Sequence, residues 1–219
     1  ESEARKLARK NLDIFKEQNI KKIITACPGC YKMLLEYKEI LPDWNIEIKN
    51  IWKLILENLA EKPKLIKNKT EKAIGYHDSC YLGRYCNIYD EPRHILELIG
   101  YIVQEITDSR ENSMCCGSCG GLLITNPALA DKIAKQRLLQ AKRIGIKKIV
   151  VSSLENYELL KRNSEESGVE IFELSQILAE ALGIEYEENK EIKNNFENQI
   201  MLDTQDSSEI KEKNLEEET

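Results

Sequence analysis

The sequence lacks the features that would direct the chain into a membrane, out of the cell or onto nucleic acid. No apolar run approaches the roughly 20 residues of a membrane-spanning helix, and the chain does not begin with a charged-then-apolar signal segment. Lys and Arg are nowhere dense enough to indicate a nucleic-acid partner. We therefore expect a cytoplasmic globular protein without a membrane span in this chain. Because the first residue is Glu1 rather than Met, we also expect a fragment or a processed product.

The charge is unevenly distributed along the chain. Residues 185–219 carry twelve acidic residues and four Lys, a net charge of −8, whereas the whole chain carries −6. The remaining residues therefore carry about +2. The proportions of apolar and charged residues in the whole chain are those of an ordinary globular protein. Residues 185–219 also have few aliphatic side chains and no sustained hydrophobic period, which predicts an acidic disordered tail.

The cysteines are the unusual feature of the composition. Their number is odd and no secretory signal accompanies them, which argues against a framework of disulfides. In a reducing compartment, clustered thiols more often bind metal or carry out redox chemistry, and two adjacent thiols in a glycine-rich turn have little use in packing. The seven cysteines are Cys27, Cys30, Cys80, Cys86, Cys115, Cys116 and Cys119.

The hydrophobic pattern alternates between helical segments and short β-branched strands, which predicts an α/β fold of two pseudo-repeated units with short parallel sheets flanked by helices. Cys27 to Cys30 and His77 to Cys80 each follow a predicted strand directly, in the position where such folds bind their ligands. Predicted helices cover 3–20, 31–37, 51–60, 92–99, 127–143, 154–163 and 174–182, and predicted strands cover 21–26, 73–76, 101–107 and 146–152.

An internal repeat supports the two units. A shift of 126 positions places Lys21-Lys22-Ile23-Ile24 on Lys147-Lys148-Ile149-Val150. The same shift places Cys27 on Ser153 and Cys30 on Asn156, so the second copy keeps the scaffold and lacks these two thiols. We predict that residues 1–60 are the C-terminal part of a first cysteine-rich unit, 61–72 a connector and 73–184 a second unit.

The cysteine spacing resembles that of a known family. Cys80, followed after 34 residues by Cys115-Cys116-Gly117, resembles the first part of the cysteine-rich CCG domain of heterodisulfide reductases and related iron–sulfur oxidoreductases. That domain closes with a Cys-x-x-Cys pair, whose place here, 36 residues after Cys116, is taken by Ser153 and Asn156. Cys27-Pro28-Gly29-Cys30 resembles the closing pair of a preceding copy. The resemblance covers roughly residues 3–183 and includes the sequence motif from His77 to Arg84.

The resemblance implies a function and a cofactor. A complete copy of the domain binds a [4Fe–4S] cluster of the noncubane type, so Cys80, Cys115 and Cys116 are implied ligands of one cluster, and Cys27 and Cys30 of another. The implied function is a heterodisulfide-reductase-like iron–sulfur oxidoreductase that reduces a disulfide-type substrate or relays electrons to a partner. Implied partners are other redox subunits, a ferredoxin-like electron donor, and a small thiol or disulfide.

The departures from the family pattern keep other interpretations open. We hypothesise that the extra cysteines, Cys86 and Cys119, partly replace the missing pair. Alternatively, the residual thiols hold zinc, which prefers four ligands, or the chain is a metal-free docking module derived from the same domain. Cys27 and Cys30 alone are also compatible with a thioredoxin-like dithiol.

The catalytic residues are not identified by the sequence. His77 is the one candidate, as a metal ligand or a proton donor to a product thiolate, although a hydrogen-bonded residue at a strand end explains it as well. Asp78 and Arg84 are candidates for orienting the Cys80 loop, and we expect His94 to lie on the surface.

Overall fold

The computed structural model of the chain describes residues 2–185, so the predicted acidic tail lies outside the described residues except for Glu185. Eight α-helices and six strands alternate along this part of the chain. Within it, no helix is both long and apolar enough to cross a bilayer. In chain order the elements are α1 (Glu3–Glu17), β1 (Lys22–Thr25), α2 (Pro28–Ile40), β2 (Glu47–Asn50), α3 (Ile51–Glu61), β3 (Ala73–Tyr76), α4 (Asp90–Leu98), β4 (Ile102–Glu105), α5 (Leu122–Thr125), α6 (Pro127–Arg143), β5 (Lys148–Val151), α7 (Leu154–Arg162), β6 (Glu170–Glu173) and α8 (Leu174–Leu182).

The strands form two parallel sheets, as predicted. One sheet has two strands, β1 and β2, and the other has four in the order β4-β3-β5-β6. From β3 the chain passes first to β4 on one side and then across to β5 on the other. The order therefore reverses at β3, and in open α/β sheets ligands bind beyond the carboxyl ends of the strands at such a reversal.

The predicted repeat is present in the fold. β1 and β5 coincide at the shift of 126 residues, and α1 and α6 end at the same register. The following strand and helix, β2 and α3, match β6 and α8 at a shift of 123, so the first copy has three more residues before its second strand. Cys27 and Ser153 are both the N-cap residue of the helix that follows the strand.

The elements differ from the predicted ones mainly where strands are short and polar. β2 and β6 were not predicted, because segments such as Glu47-Ile48-Lys49-Asn50 carry charge at alternate positions and too few apolar residues to stand out. The helix predicted from residue 31 begins earlier, at Pro28. Proline is favourable at a first helical position, and the Cys27 side chain accepts a hydrogen bond from the backbone N–H of Cys30 there.

The two repeats share a hydrophobic core. Tyr31 and Trp52 of the first repeat pack in one cluster with Ile74 and Tyr76 of the second. The indole Nε1–H of Trp52 donates to the carbonyl oxygen of Ser152, 3.3 Å away, at the carboxyl end of β5. The first repeat therefore supports a loop that belongs to the second.

A separate cluster packs α6 against the four-stranded sheet. The inward face of α6 is lined by small residues, which let the helix lie close to the sheet, and by Leu138, which is completely buried. The small residues are Ala130, Ala134 and Ala141.

We predict that Leu138→Ala lowers the free energy of unfolding by about 2–5 kcal/mol, because it removes buried methyl groups and leaves a cavity. Leu139 is its neighbour on the same helix and is 40% exposed, so Leu139→Ala should change stability by less than about 0.5 kcal/mol. Urea unfolding of both variants followed by circular dichroism measures the difference. Equal effects of the two substitutions would contradict the packing of α6 described above.

Candidate metal centre

Three loops meet at the carboxyl edge of the four-stranded sheet. The loop after β3 carries Cys80, the long loop after β4 carries Cys115, Cys116 and Cys119, and the loop after β5 carries Ser153. Because all of the strands are parallel, their carboxyl ends lie at one edge. The topology thus brings together thiols that are separated by 34 residues in the sequence.

Four thiols are linked by pairwise contacts in this group. Cys80 lies within hydrogen-bonding reach of Cys115 and Cys119, and Cys115 within reach of Cys116. The Ser118 hydroxyl lies 3.3 Å from Cys116 Sγ and 3.4 Å from Cys119 Sγ, and so bridges two of them. We call Cys80, Cys115, Cys116 and Cys119 the thiol group.

The hydrogen bonds within the thiol group concentrate negative charge on two of its members. The pKa of Cys115 lies far below its usual value, because it accepts hydrogen bonds from the thiols of Cys116 and Cys80 and, over 3.3 Å, from the backbone N–H of Gly117. The contact with Cys80 also lowers the pKa of Cys119, to about 7. The pKa of Cys80 is raised, mainly by its contacts with Cys115 and Cys119. Thiolates are the form in which cysteine binds metals.

Gly117 allows the adjacent cysteines to lie against α6. Its φ of +94° is in the region that favours glycine, and a Cβ atom at this position would lie 2.9 Å from the carbonyl oxygen of Ala130. A side chain would force the turn away from the helix. The glycine after the Cys-Cys pair is therefore required by the backbone.

Asn156 occupies the position of the missing second cysteine. It is buried, and its Nδ2 donates hydrogen bonds to Cys116 Sγ over 3.1 Å and to Ser118 Oγ over 2.7 Å. Its Oδ1 is buried without a partner among the described residues. Ser153 instead donates its hydroxyl to Glu155, 2.6 Å away. At the register where the family has its closing pair, the chain thus supplies a hydrogen-bond donor to the thiol group.

The two extra cysteines lie in different surroundings. Cys119 is a member of the thiol group. Cys86 follows a π-helical turn, Tyr81–Tyr85, and is packed against the apolar cluster shared by the two repeats. Burial raises the pKa of Cys86, and the positive charges of Lys32 and Lys53 oppose this shift. The structure thus brings Cys119, and not Cys86, into contact with Cys80.

Cys27 and Cys30 form a second, more open pair. The backbone N–H of Cys30 lies 3.1 Å from Cys27 Sγ, and Cys30 is exposed. Its pKa is raised to about 11, first by the hydrogen bond to Cys27 and then by burial. Glu155 acts electrostatically on both Cys30 and Cys119, which shows that this carboxylate lies near both groups.

A pocket of about 180 Å³ lies between the two groups of cysteines. The turn between Cys27 and Cys30 forms one side, and the loops of the thiol group form the other. The hydroxyl of Ser79 in its wall is buried without a hydrogen-bond partner among residues 2–185. The lining residues are Pro28, Gly29, Ser79, Tyr81, Ser118, Cys119, Gly120, Ser153 and Glu155.

The donor set matches a soft metal centre in its chemistry. Four thiols in contact suit zinc or an iron–sulfur cluster, and the unpartnered Oδ1 of Asn156 is a further buried polar atom beside them. In the part of the chain that is described, no three His, Cys, Asp or Glu side chains already surround a single point as a metal ion would require. The contacts are pairwise, between neighbouring thiols.

Buried polar residues support the loops behind the thiol group. His77 is buried and accepts a hydrogen bond at Nδ1 from Arg137 Nε over 3.2 Å. Burial first, and then Arg137, lower the pKa of His77 to about 3. His77 is therefore neutral with its proton on Nε2, and its Nδ1 is not free to bind a metal. His94, in contrast, is exposed on α4.

Asp78 and Arg84 both anchor loops. Asp78 accepts two hydrogen bonds from Arg93, at 2.7 and 2.9 Å, and one from the backbone N–H of Arg110 at 2.8 Å. Arg84 donates to the carbonyl oxygen of Ser113 over 2.7 Å. Arg137 was not predicted as a functional residue, although a charged residue within the apolar face of a predicted helix was a usable signal.

The segments that carry the cysteines match a known family. The family described as "Cysteine-rich domain", CCG, matches residues 1–35 and 74–154, which together are more than half of the chain. Among solved structures, glutamate racemase RacE1 from Bacillus anthracis superposes with a TM-score of only 0.37 at 16% identity, covering 81% of this chain and 65% of that one. That similarity is too low to support an argument.

Three curated relatives are similar over most of the chain. "Probable iron-sulfur-binding oxidoreductase FadF" of Bacillus subtilis is 34% identical over 80% of this chain and 26% of its own length. One subunit of the dihydromethanophenazine:CoB–CoM heterodisulfide reductase of Methanosarcina acetivorans is 30% identical over 84% of this chain and 46% of its own length. EtfAB:quinone oxidoreductase of Syntrophomonas wolfei is 36% identical over 60% and 19%, respectively.

The chain thus spans between about a fifth and about half of the length of these relatives. The family match includes the cysteines of both groups. The chain belongs to the cysteine-rich CCG-domain family.

Proposed function

We propose that this chain is part of an iron–sulfur redox protein and relays electrons, with one cluster held by Cys80, Cys115, Cys116 and Cys119. The observation that carries the proposal is the contact of these four thiols at the reversal point of the sheet. Four thiolates are the usual ligand set of [2Fe–2S] and [4Fe–4S] clusters, and relatives named as iron–sulfur oxidoreductases support iron as the metal. Such a cluster accepts and releases single electrons.

The ligand set differs from the one that the family pattern implies. The noncubane cluster of a complete copy uses the closing Cys-x-x-Cys pair, which is Ser153 and Asn156 here. Because Cys119 contacts Cys80 and Asn156 donates to Cys116, the second copy supplies four thiolates and a hydrogen-bond donor. A conventional four-thiolate cluster therefore suits this site better. Cys27 and Cys30 remain proposed ligands of a second cluster, for which the described residues provide only these two thiols.

The pocket supports electron relay over the reduction of a bound disulfide. Its volume of about 180 Å³ is below the roughly 300 Å³ at which small-molecule pockets usually begin. Its wall also carries the Glu155 carboxylate, which disfavours an anionic substrate. The proposed partners are therefore protein redox subunits, or a ferredoxin-like donor, that deliver electrons across the protein surface.

The residues around the thiol group stabilise negative charge on sulfur. The backbone N–H of Gly117 donates to Cys115, and the amide of Asn156 donates to Cys116. Hydrogen bonds to ligand sulfurs raise the reduction potential of iron–sulfur centres and fix the orientation of the ligands.

A structural zinc site is the second candidate, because four thiolates are also a complete tetrahedral ligand set for zinc. Metal analysis separates the two functions. Under anaerobic purification we expect iron and acid-labile sulfide in near-equal amounts, with the visible absorbance of an iron–sulfur protein. Zinc without sulfide would assign the chain to the structural class.

We predict that Cys119→Ser loses most of the iron and sulfide bound at the thiol group, because one of its four thiolates is removed. Cys86→Ser is the matched control, since Cys86 packs in the apolar cluster outside the thiol group, and it should retain the wild-type iron content. Iron and sulfide assays on both variants check this. Iron loss in Cys86→Ser with full retention in Cys119→Ser would reverse the assignment of the two extra cysteines.

We predict that Asn156→Ala weakens metal retention about 10–100-fold, the usual effect of removing a hydrogen bond to a ligand. The rate and extent of iron loss to a chelator measure it. Asn163→Ala is the control near the end of the same helix, because Asn163 donates to Asp131 and to the Leu159 carbonyl and does not contact a thiol. Unchanged chelation of the Asn156 variant would show that its contact with Cys116 is irrelevant to the centre.

A further inference from the structure

Arg137 is a completely buried cation on α6, the helix against which the turn after the Cys-Cys pair packs. Its four described hydrogen bonds all go to neutral acceptors. Nε donates to His77 Nδ1 at 3.2 Å, Nη1 to the carbonyl oxygen of Thr107 at 2.6 Å and to Gln140 Oε1 at 2.8 Å, and Nη2 to Ser113 Oγ at 3.3 Å. Arginine stays protonated in proteins, so this side chain brings a full positive charge into the interior.

The other buried arginine, Arg93, differs from Arg137 because it has carboxylate partners. Arg93 is compensated directly, by Asp78 at 2.7 Å and Glu105 at 2.7 Å. Among residues 2–185, no carboxylate lies within ion-pairing distance of Arg137. A buried charge without a counter-charge is costly, because the interior solvates it far less well than water does.

The acidic groups whose ionised forms act on Arg137 are Asp78, Asp108, Cys116 and Glu105. Asp78 and Glu105 are already paired with Arg93. Asp108 is exposed to solvent, which screens it. Cys116 remains; it is buried like Arg137 and becomes negative when it binds a metal as a thiolate. The hydrogen bonds of Arg137 reach both loops that carry the thiol group, because His77 lies three residues before Cys80 and Ser113 lies two residues before Cys115.

We propose that Arg137 is the internal counter-charge of the metal centre and sets its reduction potential, a role that rests on the proposed iron–sulfur function. Reduction adds an electron to a centre that already carries thiolate charge. A fixed positive charge in a poorly screened interior stabilises the added charge. Arg137 therefore favours the reduced state without touching the metal, which makes it a positioning residue.

A purely structural role is the competing explanation. The same hydrogen bonds tie α6 to the loops after β3 and β4, so any substitution removes these ties. Arg137→Lys keeps the charge but loses the planar fork of donors, whereas Arg137→Gln loses both. Arg143→Gln is the matched control, because Arg143 is an exposed cation at the end of the same helix.

The experiment is a potentiometric titration of the anaerobically purified chain and its three variants, monitored by visible absorbance or electron paramagnetic resonance. Thermal unfolding and iron content are measured on the same samples. We expect Arg137→Gln to reduce the equilibrium constant for one-electron reduction at least tenfold, which is about 59 mV towards more negative potential. Arg137→Lys should stay near the wild-type potential despite a lower melting temperature, and Arg143→Gln should match the wild type in both.

The outcomes distinguish a failure of the counter-charge role of Arg137 from a failure of the proposed iron–sulfur function. If Arg137→Gln retains iron and titrates at the wild-type potential, the counter-charge role is wrong while the iron–sulfur function stands. If Arg137→Gln and Arg137→Lys shift equally, geometry rather than charge is responsible, and the proposal is again wrong. If Arg137→Gln does not fold, the reduction potential of Arg137→Lys is compared with that of Arg143→Gln. A larger shift in Arg137→Lys contradicts the proposal, and an unshifted potential supports it. A wild-type chain that binds no iron overturns both the proposed function and this role of Arg137.

Discussion

The parallel pairing of β3 with both β4 and β5 is the constraint on which the site depends. Because these strands run in the same direction, the segments that follow them emerge at one edge of the sheet. That edge collects Cys80, the Cys-Cys turn and Asn156 from three distant parts of the sequence. The packing of α6 on this sheet then fixes where the adjacent thiols lie, because Gly117 lets their turn pack directly against the helix.

The α/β fold with its repeat could be predicted from the sequence, because the strongest signals were the cysteine spacing and the repetition of a segment. The cysteine intervals and the shift of 126 residues both placed Ser153 and Asn156 opposite Cys27 and Cys30, and the fold gives those positions equivalent places on their helices. Residue identity alone could not separate Cys119 from Cys86. Both follow turns, and only the path of the chain after β4 brings one of them against Cys80.

What the sequence missed has physical causes that recur in small α/β proteins. β2 and β6 are four residues each and partly charged, so their pairing energy comes from neighbours that are distant in sequence. Arg137 lies in the apolar face of its helix, where periodicity indicates packing and says nothing of an internal charge. Its partners, from His77 to Gln140, come from several loops and from its own helix, and only the folded chain brings them within reach.

The contact between Trp52 and the Ser152 carbonyl has a consequence for how the protein can be divided. The indole belongs to one repeat and donates a hydrogen bond at the end of a strand in the other. The apolar cluster around it contains residues of both repeats. A cut in the segment between α3 and β3 would leave each fragment with a large apolar face open to water. Such fragments tend to aggregate, so we expect the two repeats to fold only together, although their sequences share a common pattern.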